Sequence, residues 1–283
     1  VAGLDPRVNA FRADLAAASL KGAVNAPRFA DGHTARLCRG VAPLRVKPDR
    51  SAGLNTQLLF GEGFTVYDEE DGWSWGQSHL DGYVGYLQTE ILSRADWEPT
   101  HRVAVLSTPL LPAPEVKRAA IDLLPMNAKV RVVRAENRFS KLEGGRFVYA
   151  AHLVPLSDRC ADWVSVAEEF LGAPYLWGGK THAGCDCSGL IQSALERGGI
   201  AAPRDTDMMG RELGSAYETS EDFAGLQRGD LVFWKGHVGV MLDSARLLHA
   251  NAFHMRVAIE PLKEAVDRIA NSEGSVRAVK RLS

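Results

Sequence analysis

The sequence predicts a β-rich front portion, read as an N-terminal helix and two small barrels, followed by an α+β domain. Three observations carry that prediction. From about Thr34 to Leu92, short strand-type runs (VAPLRV, TQLLF, FTVYD, WSWGQ, YVGYL) are cut by Pro, Gly, Asn and Asp turn signals. A second set (RVAVLS, KVRVVRAE, RFSKLE, FVYAAHLV) runs from Arg102 to Leu156, and two such groups in succession fit two small barrels. From Arg159 onward helical patterns come first and strands afterwards, an α+β order. The expected boundaries are 1–98 for the helix and first barrel, 99–158 for the second barrel and 159–283 for the α+β domain.

Each element has its own signal. Asn9 to Lys21 is rich in Ala and Leu with spaced charges and reads as a short helix. In the barrel segments Trp73, Trp75 and Trp97 are expected as core. Asp162 to Phe170 reads as helical, and the Pro/Gly-bounded PYLWGG that follows reads as a loop. Ser188 to Arg197 sets Leu190, Ile191, Ala194 and Leu195 on one face, and Gly198-Gly199 supplies a C-terminal stop. The runs LVFWK, HVGVML, LLHANA and VRAVKRL then predict an antiparallel sheet.

Composition narrows the function classes. A chain of 283 residues with 46% hydrophobic and 24% charged residues can bury a sizeable core. The net charge of −2 carries no footprint for nucleic acid or an anionic membrane. No apolar run reaches the ~18 residues that span a bilayer, and Val1 to Arg12 lacks the order of a secretory signal. Four cysteines (Cys38, Cys160, Cys185, Cys187) do not space like a disulfide framework, so a reducing compartment, the cytoplasm, is expected.

The chemistry concentrates in Gly184-Cys185-Asp186-Cys187-Ser188-Gly189-Leu190, where the amphipathic helix begins. A thiol there faces the positive end of the backbone dipole, which favours thiolate. A lone buried Cys is ordinarily inert packing. Here His237 opens a strand 50 residues later (237 − 187), and His249 lies on the next strand. A nucleophilic Cys needs a base, and the base needs an orienting acceptor. Hairpin parity tests the idea internally. A three-residue loop Asp243-Ser244-Ala245 gives paired residues summing to 488 and makes the histidines diagonal neighbours on one face, whereas a two-residue loop separates them.

The strings PYLWGGK…GCDCSGLIQ, RGDLVFWKGHVGVML and LLHA resemble the NlpC/P60 cell-wall peptidases, a papain-like group, over about residues 160–283. That resemblance implies Cys187 as nucleophile, His237 as base and His249 as third member. It implies that Tyr175 and Trp177 line the site, Tyr175 near the developing oxyanion, and that Asp186 and Ser188 flank the nucleophile toward substrate. Upstream, the barrels are similar to bacterial SH3-like domains of the γ-D-glutamyl-diamino-acid endopeptidases. In that subgroup an Arg-Asp-Ser pattern follows the catalytic helix, and here it is Arg204-Asp205-Thr206, with Asp205 and Thr206 as substrate contacts. The first barrel is expected to add Glu62 and Tyr83 to the substrate pocket, with Tyr86 as a competitor for the second role. Met209 replaces the family's usual Gln, and Cys185 is an unusual second thiol, read as packing or as an oxidation site.

The resemblance thus implies hydrolysis, without a cofactor, of the γ-D-Glu–diamino-acid bond in stem peptides with a free L-Ala amine. A monomer engaged in muropeptide recycling, with diaminopimelate or Lys in the third position, is expected. Other readings use the same residues. A metal site could draw on His182, Cys185, Cys187, His237, His249 and His254, but Cys185-x-Cys187 is tighter than the usual zinc pair, so no metal is expected. A non-catalytic peptide-binding module would not need the intact Cys/His/His set. An acyltransferase would share the acyl-enzyme and differ only in its acceptor.

Overall fold

In the computed structural model, which describes residues 3–94, 96–220 and 222–282, the Ala-rich segment 9–21 is not the expected helix. Leu15–Ala17 is a strand paired in parallel with Arg28–Ala30, and Ala18–Leu20 forms a single 3₁₀ turn. The cause is tertiary. Leu15, Ala16 and Ala17 are all buried in succession, which a helix with one apolar stripe does not do. Arg12 is drawn over the Trp75 ring at 4.8 Å and bonds Tyr86 Oη at 3.3 Å and the Asp68 carboxylate. Packing of these kinds outweighs the few tenths of a kcal/mol per residue that separate ordinary helix propensities.

The chain divides into two units, 1–157 and 158–283. The first is β-rich. Its largest sheet has seven antiparallel strands in the order Leu54–Leu59, Val41–Arg45, Val84–Gln88, Trp73–Ser78, Gly63–Glu70, His33–Leu37, Leu92–Ser93. Period-2 burial is plain in Val41–Arg45, where Ala42 and Leu44 turn inward. They join Leu37, Leu58, Phe64 and Leu87 in one core. Smaller sheets between His101 and Pro155 enclose a second core of Val103, Leu110, Leu124, Val130, Leu142 and Val148. Trp75 is buried, Trp97 packs against the second core, and Trp73 is half-buried along a surface cleft with Asp71 and Tyr86.

In the second unit α1 (Trp163–Glu169) is capped by Asp162, whose carboxylate accepts from the Val164 and Ser165 N–H groups. The next helix, α2 (Cys187–Gly198), buries Leu190, Ile191, Ala194 and Leu195, and Gly199 closes it at φ +78°. That left-handed cap suits glycine, as the Gly-Gly stop predicts. A short α3 (Thr206–Glu212) follows. Next come β1 (Leu231–Trp234), β2 (His237–Met241), β3 (Arg246–Asn251), β4 (Arg256–Pro261), α4 (Leu262–Ala270) and β5 (Ala278–Arg281). The antiparallel sheet runs Ser215–Ala216, β5, β1, β2, β3, β4. The β2–β3 register pairs Val240 with Leu248 and Met241 with Leu247, so each pair sums to 488 as parity requires. Among the described residues no helix is long and apolar enough to cross a membrane.

Candidate active site

Cys187 is the first residue of α2, and the loop before it is held by one buried carboxylate. Asp186 accepts from the Gly189 N–H (2.7 Å), which caps the helix, and from the Gly178 N–H (2.7 Å). Arg204, 1% exposed, donates to Asp186 Oδ2 (2.7 Å), to Ser188 Oγ (2.7 Å) and to the Gly179 carbonyl (3.3 Å). Asp186 and Ser188, expected to meet substrate, commit their side chains to this brace. The close fit explains the glycine after Ser188: a Cβ on Gly189 would lie 2.0 Å from the Gly179 carbonyl oxygen. Arg204 also ties the start of the next segment to the nucleophile's end of α2, where Asp205 and Thr206 open α3. Met209 is wholly buried on α3.

The cysteine sulfur lies against the turn that carries His237. Its Sγ is 3.8 Å from the Gly236 carbonyl oxygen, and the Val238 and Ser188 N–H groups point toward it. Across the β1–β2 hairpin His237 pairs with Trp234, whose ring centroid is 5.6 Å from the imidazole. His237 Nε2 meets His249 Nδ1 at 2.8 Å, and both rings are buried. Gly239 makes this approach possible: a Cβ there would come within 2.8 Å of Leu247 and 3.2 Å of the His249 Cβ. The sequence thus fits the histidines together by register, and by a glycine between them.

The polar line continues past the expected residues. His249 Nε2 meets Glu260 Oε1 at 2.6 Å, and Arg268 donates to both Glu260 oxygens at 2.5 Å. Neither Glu260 nor Arg268 is legible as a site residue from the motif alone. Glu260 sits near the end of β4 and Arg268 eight residues on, in α4, so the strand-to-helix turn clamps one on the other. His254 lies beside them, its Nδ1 3.0 Å from Asn251 Oδ1. The ligand atoms of His249, His254 and Glu260 fall within 4.8 Å of one another, but a cation there would have to compete with the Arg268 guanidinium.

Electrostatics at the site run against the simple helix-dipole expectation. Burial pushes the Cys187 thiol up, and the Asp186 charge adds to this, outweighing the backbone N–H groups that favour thiolate. Burial likewise pushes the His237 imidazole down, with His249 and Arg268 in the same direction. The resting pair is therefore a neutral thiol beside a neutral imidazole. Burial alone would raise Glu260, but Arg268 and His249 prevail and hold its carboxyl down to about 2. Tyr175, half-buried, is pushed well above the ordinary phenol range by burial and by Cys187, so it stays a hydroxyl donor. Its backbone N–H bonds the Met255 carbonyl (3.0 Å), while Trp177 in the same loop is 68% exposed. Cys185 is fully buried and pushed up to about 12 by burial, the state of an inert packing thiol.

The two residues expected from the β-rich unit are buried there. Glu62 Oε2 accepts from the Leu59 N–H (3.0 Å) in the turn between two strands. Tyr83 is part of the first core, with its N–H on Asp81 Oδ1 (3.1 Å). Tyr86 is half-buried and its hydroxyl receives Arg12.

Comparison with known proteins adds the following. Residues 172–268 match the NlpC/P60 family, and residues 44–92 match the bacterial dipeptidyl-peptidase Sh3 domain. A γ-D-glutamyl-L-lysine dipeptidyl-peptidase of Bacillus subtilis is 28% identical over 240 residues, covering 75% of this chain and 77% of the relative. Dipeptidyl-peptidase 6 of Lysinibacillus sphaericus is 25% identical over 79% of this chain and 90% of its own. The crystal structure of an NlpC/P60 family protein from Bacillus cereus superposes with a TM-score of 0.72 at 21% identity, covering 88% of this chain and 99% of that one, and it shares the fold.

Proposed function

We propose that this chain, a member of the NlpC/P60 family with a bacterial dipeptidyl-peptidase SH3 domain ahead of the catalytic unit, is a cysteine peptidase acting on peptidoglycan stem peptides. The bond cut is γ-D-Glu to the diamino acid, and the dipeptide L-Ala-γ-D-Glu leaves from a free N-terminus. The observation that carries the reading is the Cys187 sulfur at the head of α2, set against the Gly236 carbonyl just before His237, whose ring bonds His249. Cys187 attacks the amide carbonyl as His237 takes its proton. The Tyr175 hydroxyl donates to the oxyanion, and the imidazolium returns the proton to the leaving amine. Water then enters by the same base and frees the acid. Asp205 and Thr206 supply contacts to substrate. Two separate cores in the β-rich unit support reading it as two SH3-like barrels, 1–98 with its N-terminal segment and 99–158.

The test offers L-Ala-γ-D-Glu-L-Lys and its diaminopimelate counterpart, each with a free and an N-acetylated amine. Release of free diamino acid from the unblocked peptides at least tenfold faster is the expected result, since losing a charge-assisted hydrogen bond costs about 1.5–3 kcal/mol. Equal rates on the blocked peptides would remove the free-amine requirement, and cleavage of none of the four would end the peptidase reading.

A second expectation concerns His249. His249→Gln should keep more turnover than His249→Ala. Its amide can accept from His237 with one end and donate to Glu260 with the other. Steady-state kcat for the two variants checks this, and equal losses would show that the bridge has no orienting role.

A further inference from the structure

Beyond His249 the polar line ends on an ion pair, and the direction of every hydrogen bond along it can be worked out from that end. Arg268 can only donate, and it donates to both oxygens of Glu260. Glu260, so paired and 7% exposed, is an ionised carboxylate and can only accept. The atom it accepts from at 2.6 Å is His249 Nε2, which must carry a hydrogen. A neutral imidazole has one N–H, so His249 Nδ1 is a bare acceptor. The atom facing it at 2.8 Å is His237 Nε2, which must then be the donor. That leaves His237 Nδ1 without a hydrogen, as the ring nitrogen available to the thiol.

Resting on the peptidase reading above, we propose that Glu260, clamped by Arg268, is a positioning residue that fixes the tautomer of both histidines and so presents His237 Nδ1 to Cys187 as a ready base. Without Glu260, His249 could carry its hydrogen on Nδ1 and face His237 Nε2 as a donor. His237 would then turn its own hydrogen to Nδ1, and the thiol proton would have no acceptor. The carboxylate has a second effect. When His237 takes the thiol proton, the imidazolium is cationic, and the line ends in one negative and one positive group rather than in Arg268 alone. The charged and titratable groups acting on His237 and His249 are His254 in the β3–β4 turn, Glu260 on β4 and Arg268 on α4, and those acting on the Cys187 thiol are Asp186 and Arg204. Of the carboxylates among them, Glu260 is the one bonded to the histidine line. Its charge favours protonated His237, so its loss makes that base weaker.

Histidine side-chain ¹H–¹⁵N spectra of the wild-type protein at neutral pH test the tautomers directly, with signals assigned by their disappearance in His237→Gln and His249→Gln. Both rings are expected as the Nε2–H form. Wild-type His249 protonated on Nδ1 would overturn the proposal whatever the enzyme turns over. In Glu260→Ala, kcat is expected to fall roughly 10- to 100-fold with KM within about twofold, and the acid limb of kcat/KM to move to lower pH. Glu260→Gln, whose amide oxygen can still accept from His249, should recover the tautomers and part of kcat while keeping the shifted limb. An unchanged kcat and limb in Glu260→Ala would sink the idea. If that variant does not fold, the wild-type spectra and Glu260→Gln decide. Wild-type protein that cleaves no stem peptide would count against the peptidase reading, and the spectra would still test the tautomers.

Discussion

Cys187→Ala and His237→Ala should each lower kcat on a stem tripeptide by about 10⁴-fold or more, to near background, with the fold unchanged. The substitution at 187 removes one sulfur atom and leaves the Asp186 cap on the Gly189 N–H in place, so helix α2 keeps its start. What disappears is the thiol set against the His237 turn. The size of the effect follows from the resting state. Burial holds the thiol protonated and the imidazole neutral, so neither group acts alone. The thiolate has to form as His237 takes the proton, and losing either partner removes the same step. The two substitutions should therefore not be additive: the double variant should be about as slow as either single one. Cys185→Ala, by contrast, should retain most of its turnover, because that thiol is wholly buried and its burial opposes ionisation. Rates measured with diamino-acid release, beside far-ultraviolet circular dichroism for the fold, make the comparison. Turnover by Cys187→Ala within tenfold of wild type would mean that another group is the nucleophile.

Much of the site was legible because strand register is arithmetic. A three-residue loop forces paired residues to sum to 488, and the observed pairs do so, which puts His237 and His249 on one face. The same reasoning would have reached Glu260. A four-residue turn, Ala252 to Met255, pairs Asn251 with Arg256 and Leu247 with Glu260, each summing to 507, and makes Glu260 a diagonal neighbour of His249. Its role is hidden in the sequence because an acidic residue near a strand end ordinarily faces water, and nothing local says that Arg268 will meet it. The N-terminal segment failed for a related reason. Ala and Leu favour helix by propensity, but the partners that hold it extended, Arg28–Ala30 and Trp75, lie 13 residues and more away from Leu15 in sequence. At Cys187 burial outweighs the backbone N–H groups that favour thiolate, and a sequence shows a helix start but not how deeply it is buried.

Arg204→Met should destabilise the catalytic unit by about 3–5 kcal/mol, the cost of leaving one member of a buried ion pair uncompensated. The side chains of Arg204 and Asp186 are 1% and 8% exposed, so solvent screens the pair little. Methionine fills a similar length without donors, and Asp186 would keep its bonds from Gly178, Gly189 and Ser188 but lose its charge partner. In a unit spanning residues 158–283, a loss of that size lowers the melting temperature by roughly 10–20 °C. Calorimetry on the full chain measures that shift. The paired variant Asp186→Asn with Arg204→Met separates charge from packing. An amide buries no charge, and its one oxygen can keep the bonds from Gly189 and Ser188 while its NH2 gives up the bond from Gly178, so the double variant should recover only part of the loss. Activity should not recover with it. Arg204 also bonds Ser188 and the Gly179 carbonyl, and these hold the loop that shapes the approach to Cys187. Stability regained without turnover would identify the Arg204 brace as the device that sets the nucleophile's geometry. An Arg204→Met protein within 1 kcal/mol of wild type would mean that the pair is solvated or replaced, and the brace would lose its explanation.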